Sequence, residues 1–155
     1  MICALTGHRI LGGDYDETAL CYELEDLIKE GYDTFRCGMA RGFDWKALQA
    51  LIRLKQKYRI FIEACIPYAG HEESFPKREQ KNYLEALGWC DFVRVMYENY
   101  CDGCFLARDR YMVEGADLVF AYCNKKTGGT AYTVNYAKKL QVAVRYFGDK
   151  GEESK

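Results

Sequence analysis

No block of lysine or arginine stands out in this chain of 155 residues, whose 22 basic and 23 acidic residues leave a formal net charge of −1. Both signs are scattered, so the sequence lacks the electrostatic footprint that a phosphate backbone demands, and nucleic acid is not expected as its main partner. No stretch approaches the ~20 apolar residues needed to span a bilayer, and no membrane partner is expected. The start, Met1 to Thr6, enters a strand-like run at once. It lacks the basic, apolar and small-residue regions of a signal peptide, so a cytoplasmic location is expected. Internal repeats, low-complexity segments and linkers are also missing. The length suits one domain, placed at residues 1–147, with a polar tail at 148–155.

Cysteine is plentiful, yet a disulfide framework is not indicated. Cys3, Cys37, Cys65 and Cys123 lie in or beside apolar strand-like runs, where a thiol behaves as a small hydrophobe. Without a secretory signal, an even count of cysteines says little about pairing. Cys101-Asp102-Gly103-Cys104 precedes a helix, where a helix start lowers thiol pKa. With only two histidines in the chain, no second close pair completes a tetrahedral site. No metal is expected, and the identity of any cofactor stays open.

What the sequence does contain is a regular alternation of apolar runs and helical stripes. Strands are predicted at Ile2 to Leu5, Thr34 to Cys37, Ile60 to Ile66, Phe92 to Met96, Leu118 to Tyr122 and Val142 to Phe147. Between them, Leu20, Leu24, Leu27 and Ile28 form one helical stripe that stops at Gly31. Trp45, Leu48, Leu51 and Ile52 form a second, and Tyr83, Leu84 and Leu87 a third, with Ser74 as its cap and Gly88 as its end. Two further helices are predicted, from about Cys104 to Glu114 and from Thr130 to Leu140. Such alternation implies right-handed βαβ units, a mostly parallel sheet of about six strands, and a three-layer α/β/α architecture of Rossmann type.

In open parallel sheets, ligands bind outside the carboxyl ends of the strands, so the segments after each strand are the candidates. These are Thr6-Gly7-His8-Arg9, then Gly38-Met39-Ala40-Arg41-Gly42-Phe43-Asp44, then Pro67-Tyr68 with Ala69-Gly70-His71, and finally Gly128-Gly129-Thr130. The last is the best phosphate cradle, or else a plain strand-to-helix turn. Its glycines permit close backbone approach, and Thr130 can cap a helix whose free amides favour an anion. Arg41 is available to a carboxylate or phosphate, and Asp44 suits a helix cap. His8 and Arg9 offer an imidazole and a fixed cation, although His8 serves equally well as a structural histidine. His71 follows a glycine in a loop and is expected to face solvent. Arg108 and Arg110 point to nearly opposite sides of one helix; Arg108 is favoured for the site, and Arg110 for the surface or a salt bridge.

In combination these segments, together with Arg108-Asp109-Arg110-Tyr111-Met112-Val113 and Gly128-Gly129-Thr130-Ala131-Tyr132-Thr133-Val134, resemble the YpsA-like family of the SLOG superfamily. That group includes the LOG nucleotide hydrolases and the DNA-processing protein DprA, and the likeness covers about Met1 to Phe147. The resemblance implies a Rossmann-like sheet with a pocket for a nucleotide or nucleotide derivative. It does not settle an activity, since the superfamily hosts both enzymes and binding proteins.

The chain departs from that pattern at several points. If Thr130 matches the threonine of the LOG Gly-Gly-x-Gly-Thr turn, the glutamate that follows it is replaced by Thr133, and a hydroxyl cannot substitute for a carboxylate in activating water. Gln49 stands where the family often has another glutamate, and His71 where it often has glutamine. Asp44 and Glu114 remain the carboxylates expected near the pocket and are the candidate catalytic residues. A binding module for a nucleotide-like small molecule, with a sensor module as one form of it, ranks first among the functions expected. An N-glycosidic hydrolase ranks second and a single-stranded DNA binder third. Relatives in this superfamily often pair, so a homo-oligomer stays open.

Overall fold

The computed structural model describes residues 1–148 together with 153–154. The chain alternates strand and helix: β1 (Ile2–Gly7), α1 (Glu17–Lys29), β2 (Thr34–Cys37), α2 (Phe43–Leu54), β3 (Phe61–Ile66), α3 (Lys77–Leu87), β4 (Phe92–Val95), α4 (Cys104–Val113), β5 (Leu118–Tyr122), α5 (Gly129–Lys139) and β6 (Ala143–Tyr146). A two-residue strand, β7 (Glu153–Ser154), runs antiparallel to β6, whereas β1 to β6 are all mutually parallel. The expected polar tail falls mostly outside the described residues; Gly148 and β7 are the parts that lie within them.

The sheet order is β4-β3-β2-β1-β5-β6-β7. The chain therefore winds outward from β1 to β4, then returns through α4 and winds the other way from β5. That reversal puts a topological switch point between β1 and β5, where the loops leaving two neighbouring strands part and open a crevice.

Strand alternation supplies one apolar face to each helical layer. Leu5, Phe35, Ile62 and Phe120 pack against Leu20, Leu24 and Leu27 of α1, Leu48 and Leu51 of α2, and Tyr83 of α3. On the opposite face, Ala4, Cys65, Val119, Ala121 and Val144 pack against Met112 and Val113 of α4 and against Val134 and Ala137 of α5. Every residue of β5 is buried, as expected of an inner parallel strand covered on both sides. All four residues of the edge strand β4 are exposed.

Three features differ from the sequence-based expectation, each for a physical reason. β1 runs on to Gly7 because Thr6 and Gly7 stay in register with Ala121 and Tyr122 of β5. Pro76, not Ser74, precedes α3, and the Ser74 hydroxyl instead donates to the carbonyl of His71 at 2.8 Å, inside a short 3-10 turn. Leu84 is exposed, and the buried stripe of α3 runs through Tyr83 and Ala86.

A long-range polar tie secures the far end of α4. Arg36 of β2 pairs with Glu63 of β3 at 3.0 Å, and its Nη1 donates to the carbonyls of Tyr111, Met112 and Glu114 at 3.1, 3.1 and 2.7 Å. One guanidinium thereby satisfies carbonyls that a helix end leaves without partners.

Candidate functional site

Four segments distant in sequence meet at the switch point and enclose a cavity of about 280 Å³. Thr6, Gly7, His8 and Arg9 line it from the end of β1, Ala40 and Asp44 from the loop and first turn after β2, and Gly129 and Thr130 from the start of α5. Phe105, Leu106, Arg108 and Asp109 close it from α4.

The loops can approach so closely because of two glycines. A Cβ on Gly7 would stand 2.4 Å from the Phe43 ring. One on Gly42, whose φ is +79°, would stand 2.1 Å from the Arg9 carbonyl oxygen. The Phe43 amide donates to the His8 carbonyl at 3.1 Å, so the first and second loops are joined main chain to main chain.

Asp44 does not cap its helix. Gly42 takes the cap position, and the Asp44 carboxylate turns back so that Oδ2 accepts from the Ala40 amide at 3.3 Å. It is 6% exposed, and its Oδ1 has no hydrogen-bond partner. Burial raises its pKa to about 6, against the opposing pull of Arg108 and the Ala40 amide. Such an orphaned oxygen is costly unless something binds to it.

Arg108 is the buried cation of the cavity. Its Nη1 donates to the Gly38 carbonyl, and its Nε meets Asp109 Oδ1 at 2.7 Å. Asp109 was missed in the sequence reading. Its signal was faint, being one acidic residue between two arginines on an otherwise ordinary helix. Burial raises its pKa, with Arg108 pulling the other way.

At the α5 end, the first intrahelical bond runs from the Tyr132 amide to the Gly128 carbonyl at 2.9 Å. The amides of Gly129, Thr130 and Ala131 precede it, and the positive end of the helix dipole lies there. Gly128 takes φ 101° and ψ 179° as the cap, a conformation almost confined to glycine. Thr130 lies inside the first turn, so it is not the cap that its sequence position suggested.

Other expected residues fall elsewhere. Gly38 stands just behind the cavity and contributes through its carbonyl, and Met39, with φ 62°, is core. Pro67 is buried, and Tyr68 packs edge-on against His71, Tyr100 and Phe105. Arg41 pairs with Glu79 at 2.9 Å and lines a neighbouring pocket together with Gly42. Glu114 sits at the C-terminal end of α4, where its carboxylate accepts from the Tyr136 hydroxyl at 2.6 Å. A helix that enters at the carboxyl edge of the sheet leaves at the other edge, so Glu114 is far from the cavity. Arg110 donates to the Tyr132 hydroxyl at 3.0 Å.

The two histidines differ in role. His8 lines the cavity, and its Nε2 accepts from the Asn124 amide at 2.9 Å, which leaves the proton on Nδ1. Burial and nearby Lys125 lower its pKa. His71 does not face solvent: it is 4% exposed, with Nδ1 3.0 Å from the Tyr83 hydroxyl and aromatic rings around it. Burial, helped by Arg108 and Arg9, lowers its pKa to about 4, so it stays neutral at ordinary pH.

Residues 15–149 match the YpsA model, the YspA SLOG family. The chain belongs to that family. A UPF0398 protein of Halalkalibacterium halodurans is 28% identical over 138 residues, covering 86% of this chain and 73% of that protein. A second UPF0398 protein, from Streptococcus uberis, is 29% identical over 84 residues, covering 54% of this chain and 47% of that one.

Among solved structures, DprA of Streptococcus pneumoniae superposes with TM-score 0.69 at 18% identity, over 93% of this chain. The chain spans 49% of that protein's length. DprA of Helicobacter pylori, solved to describe its single-stranded DNA binding mode, gives TM-score 0.72 at 20% identity over 99% of this chain and 68% of its own. These likenesses establish the SLOG fold. The single-stranded DNA named for the second relative stands against the expectation, drawn from charge alone, that nucleic acid is not a partner.

Within the SLOG frame the departure at Thr133 acquires a structural meaning. Its hydroxyl donates to the Gly129 carbonyl at 2.9 Å, and the residue is buried. Asp109 of α4 lies close enough to Thr133 for that hydroxyl to oppose the rise in its pKa. Among the described residues no cluster of three or more His, Cys, Asp or Glu side chains suits a metal, and no helix is long and apolar enough to cross a membrane.

Proposed function

We propose that this SLOG chain binds a phosphate-bearing, nucleotide-like ligand in the cavity at the β1–β5 switch point. The observation that carries the reading is Asp44, whose Oδ1 is buried and unpartnered and which lines the same cavity as Gly129 and Thr130 at the head of α5. An anion suits the amides, and a sugar hydroxyl suits the carboxylate oxygen. Family membership supports the same class of ligand. The eight cysteines are all free thiols, which agrees with work in the reducing cytoplasm.

Isothermal titration against nucleoside monophosphates and ribose 5-phosphate tests the reading, with Asp44→Ala as the paired variant. Binding that weakens at least tenfold in the variant is expected. Absence of heat from every phosphate-bearing ligand refutes it.

Hydrolysis of an N-glycosidic bond is a second reading, favoured by the raised pKa of Asp44 and by a second buried carboxylate, Asp109, in one cavity. Asp44 would protonate the leaving base. Chromatography of nucleoside monophosphates after incubation decides this, and a flat base trace removes it.

Single-stranded DNA is a third reading, supported by the fold shared with DprA and by Lys125, Lys126 and Lys138 lining one pocket beside α5. Its mark is a gel shift that fades with salt, lost when these lysines are changed to alanine.

A further inference from the structure

A second pocket, of about 490 Å³, adjoins the cavity and shares Arg9 with it. Its lining includes Trp45, Phe75 and Tyr83, and its polar groups include the Asn82 amide and the Arg41–Glu79 pair. Trp45 comes from the first turn of α2, one residue after Asp44, so the same turn serves both compartments. Among the described residues the Arg9 guanidinium has no hydrogen-bond or ion-pair partner, although its field reaches Asp44 and His71. An exposed, unengaged cation therefore stands at the junction of an amide-headed cavity and an aromatic pocket.

We infer that the larger pocket receives the nucleobase of a nucleotide whose phosphate occupies the smaller cavity, with Arg9 at the join. This rests on the nucleotide reading above and names which end of the ligand goes where. Three properties support it. A planar ring gains from stacking on an aromatic wall, and the partly exposed Trp45 offers such a face, with Phe75 and the buried Tyr83 behind the lining. A base presents donors and acceptors at its edge, and Asn82 provides both kinds of group. The link between base and phosphate carries charge at one end only, which matches one free guanidinium at the shared wall. The volume lies in the range of pockets for small organic ligands.

The experiment uses the full chain carrying Trp89→Phe, so that Trp45 is the sole tryptophan. Ribose 5-phosphate and the four common nucleoside monophosphates are titrated by calorimetry and by Trp45 emission. Base-bearing ligands should bind about 5- to 150-fold tighter than ribose 5-phosphate, and should quench Trp45 where ribose 5-phosphate does not. Trp45→Ala and, separately, Asn82→Ala should reduce the nucleotides to the affinity of ribose 5-phosphate while leaving that ligand unchanged. Circular dichroism checks that both variants fold; Asn82 is exposed, so its change spares the core. Equal affinity for nucleotides and ribose 5-phosphate, with steady emission, overturns the inference and leaves the phosphate site standing. No binding of either kind removes both.

Discussion

Arg108 of α4 donates to the main-chain carbonyl of Gly38, 70 residues earlier in the chain, and with Asp109 and Asp44 beside it this contact ties two loops across the candidate site. The guanidinium is 6% exposed, so its charge is sustained by these neighbours and not by water.

Replacing Arg108 by methionine therefore leaves the Gly38 carbonyl and the Asp109 carboxylate without their partner and removes the charge whose field opposes the rise in the Asp44 pKa. Loss of one member of a buried ion pair costs roughly 3–5 kcal/mol. Urea unfolding should show the midpoint of Arg108→Met well below that of the wild type. An unchanged midpoint would mean that the contact contributes nothing to stability.

On the proposed reading, anion binding beside Asp44 should depend on pH. Its folded pKa of about 6 lies above the ordinary 3.8, so the buried site favours the protonated form. Folding stability contributed by this group is complete below about pH 4 and is lost as pH rises through 6, by about 3 kcal/mol. Sulfate, whose charge does not change in this window, should bind more tightly at pH 5 than at pH 7.5. Asp44→Asn should bind at pH 7.5 as the wild type does at pH 5. Arg9, Arg108, Asp109 and His8 line the same cavity, and of these His8 and Asp109, whose pKa burial raises, are the other groups able to change charge there. A gain in affinity that persists in Asp44→Asn would move its origin to His8 or Asp109, which His8→Gln and Asp109→Asn separate.

Gly129 and Gly42 should separate binding from folding. A Cβ on Gly129 meets nothing within 4 Å, and its φ is not in the left-handed region, so alanine there should leave thermal unfolding within ~0.5 kcal/mol of wild type. It should nevertheless weaken phosphate-ligand binding tenfold or more, since a methyl group would intrude on the amides. Gly42→Ala should instead lose roughly 2–4 kcal/mol, because its Cβ would overlap the Arg9 backbone at a positive φ. Chemical denaturation of the two variants side by side checks both.

Thiol reactivity should follow burial. Cys3, Cys37, Cys65 and Cys104 are buried, and burial raises the thiol pKa of Cys3 to about 12 and those of Cys37 and Cys65 as well. Of eight free thiols, no more than the four partly exposed ones should react quickly with Ellman's reagent in the native protein, and all eight after unfolding. Fewer than eight in the unfolded, unreduced protein would point to a disulfide.

Most of the fold was legible because periodicity carried it. The β-branched and apolar run before Pro67 and the stripe of Leu20, Leu24 and Leu27 each admit one reading, and both elements lie where they were expected. The candidate site was legible where glycine marked a turn after a strand, as at Gly7 and Gly129. It was obscure where a side chain turned against its local role. Asp44 looks like a helix cap from its neighbours, and only the fold shows it bent back toward Ala40. Asp109 and Glu114 lie on one helix with nothing local to say which is near the cavity; the direction of α4 decides that. His71 follows a glycine, which suggests a loop, yet the aromatic rings that enclose it come from separate parts of the chain.

Where Gly42 meets Arg9, backbone rests directly on backbone at the boundary between the two compartments. On the proposed reading, substitution would change which ring or acid group either chamber prefers, while the main-chain contact of Gly42 with Arg9 fixes the spacing between them. Relatives that keep this abutment should differ in ligand chemistry while retaining a common ligand reach.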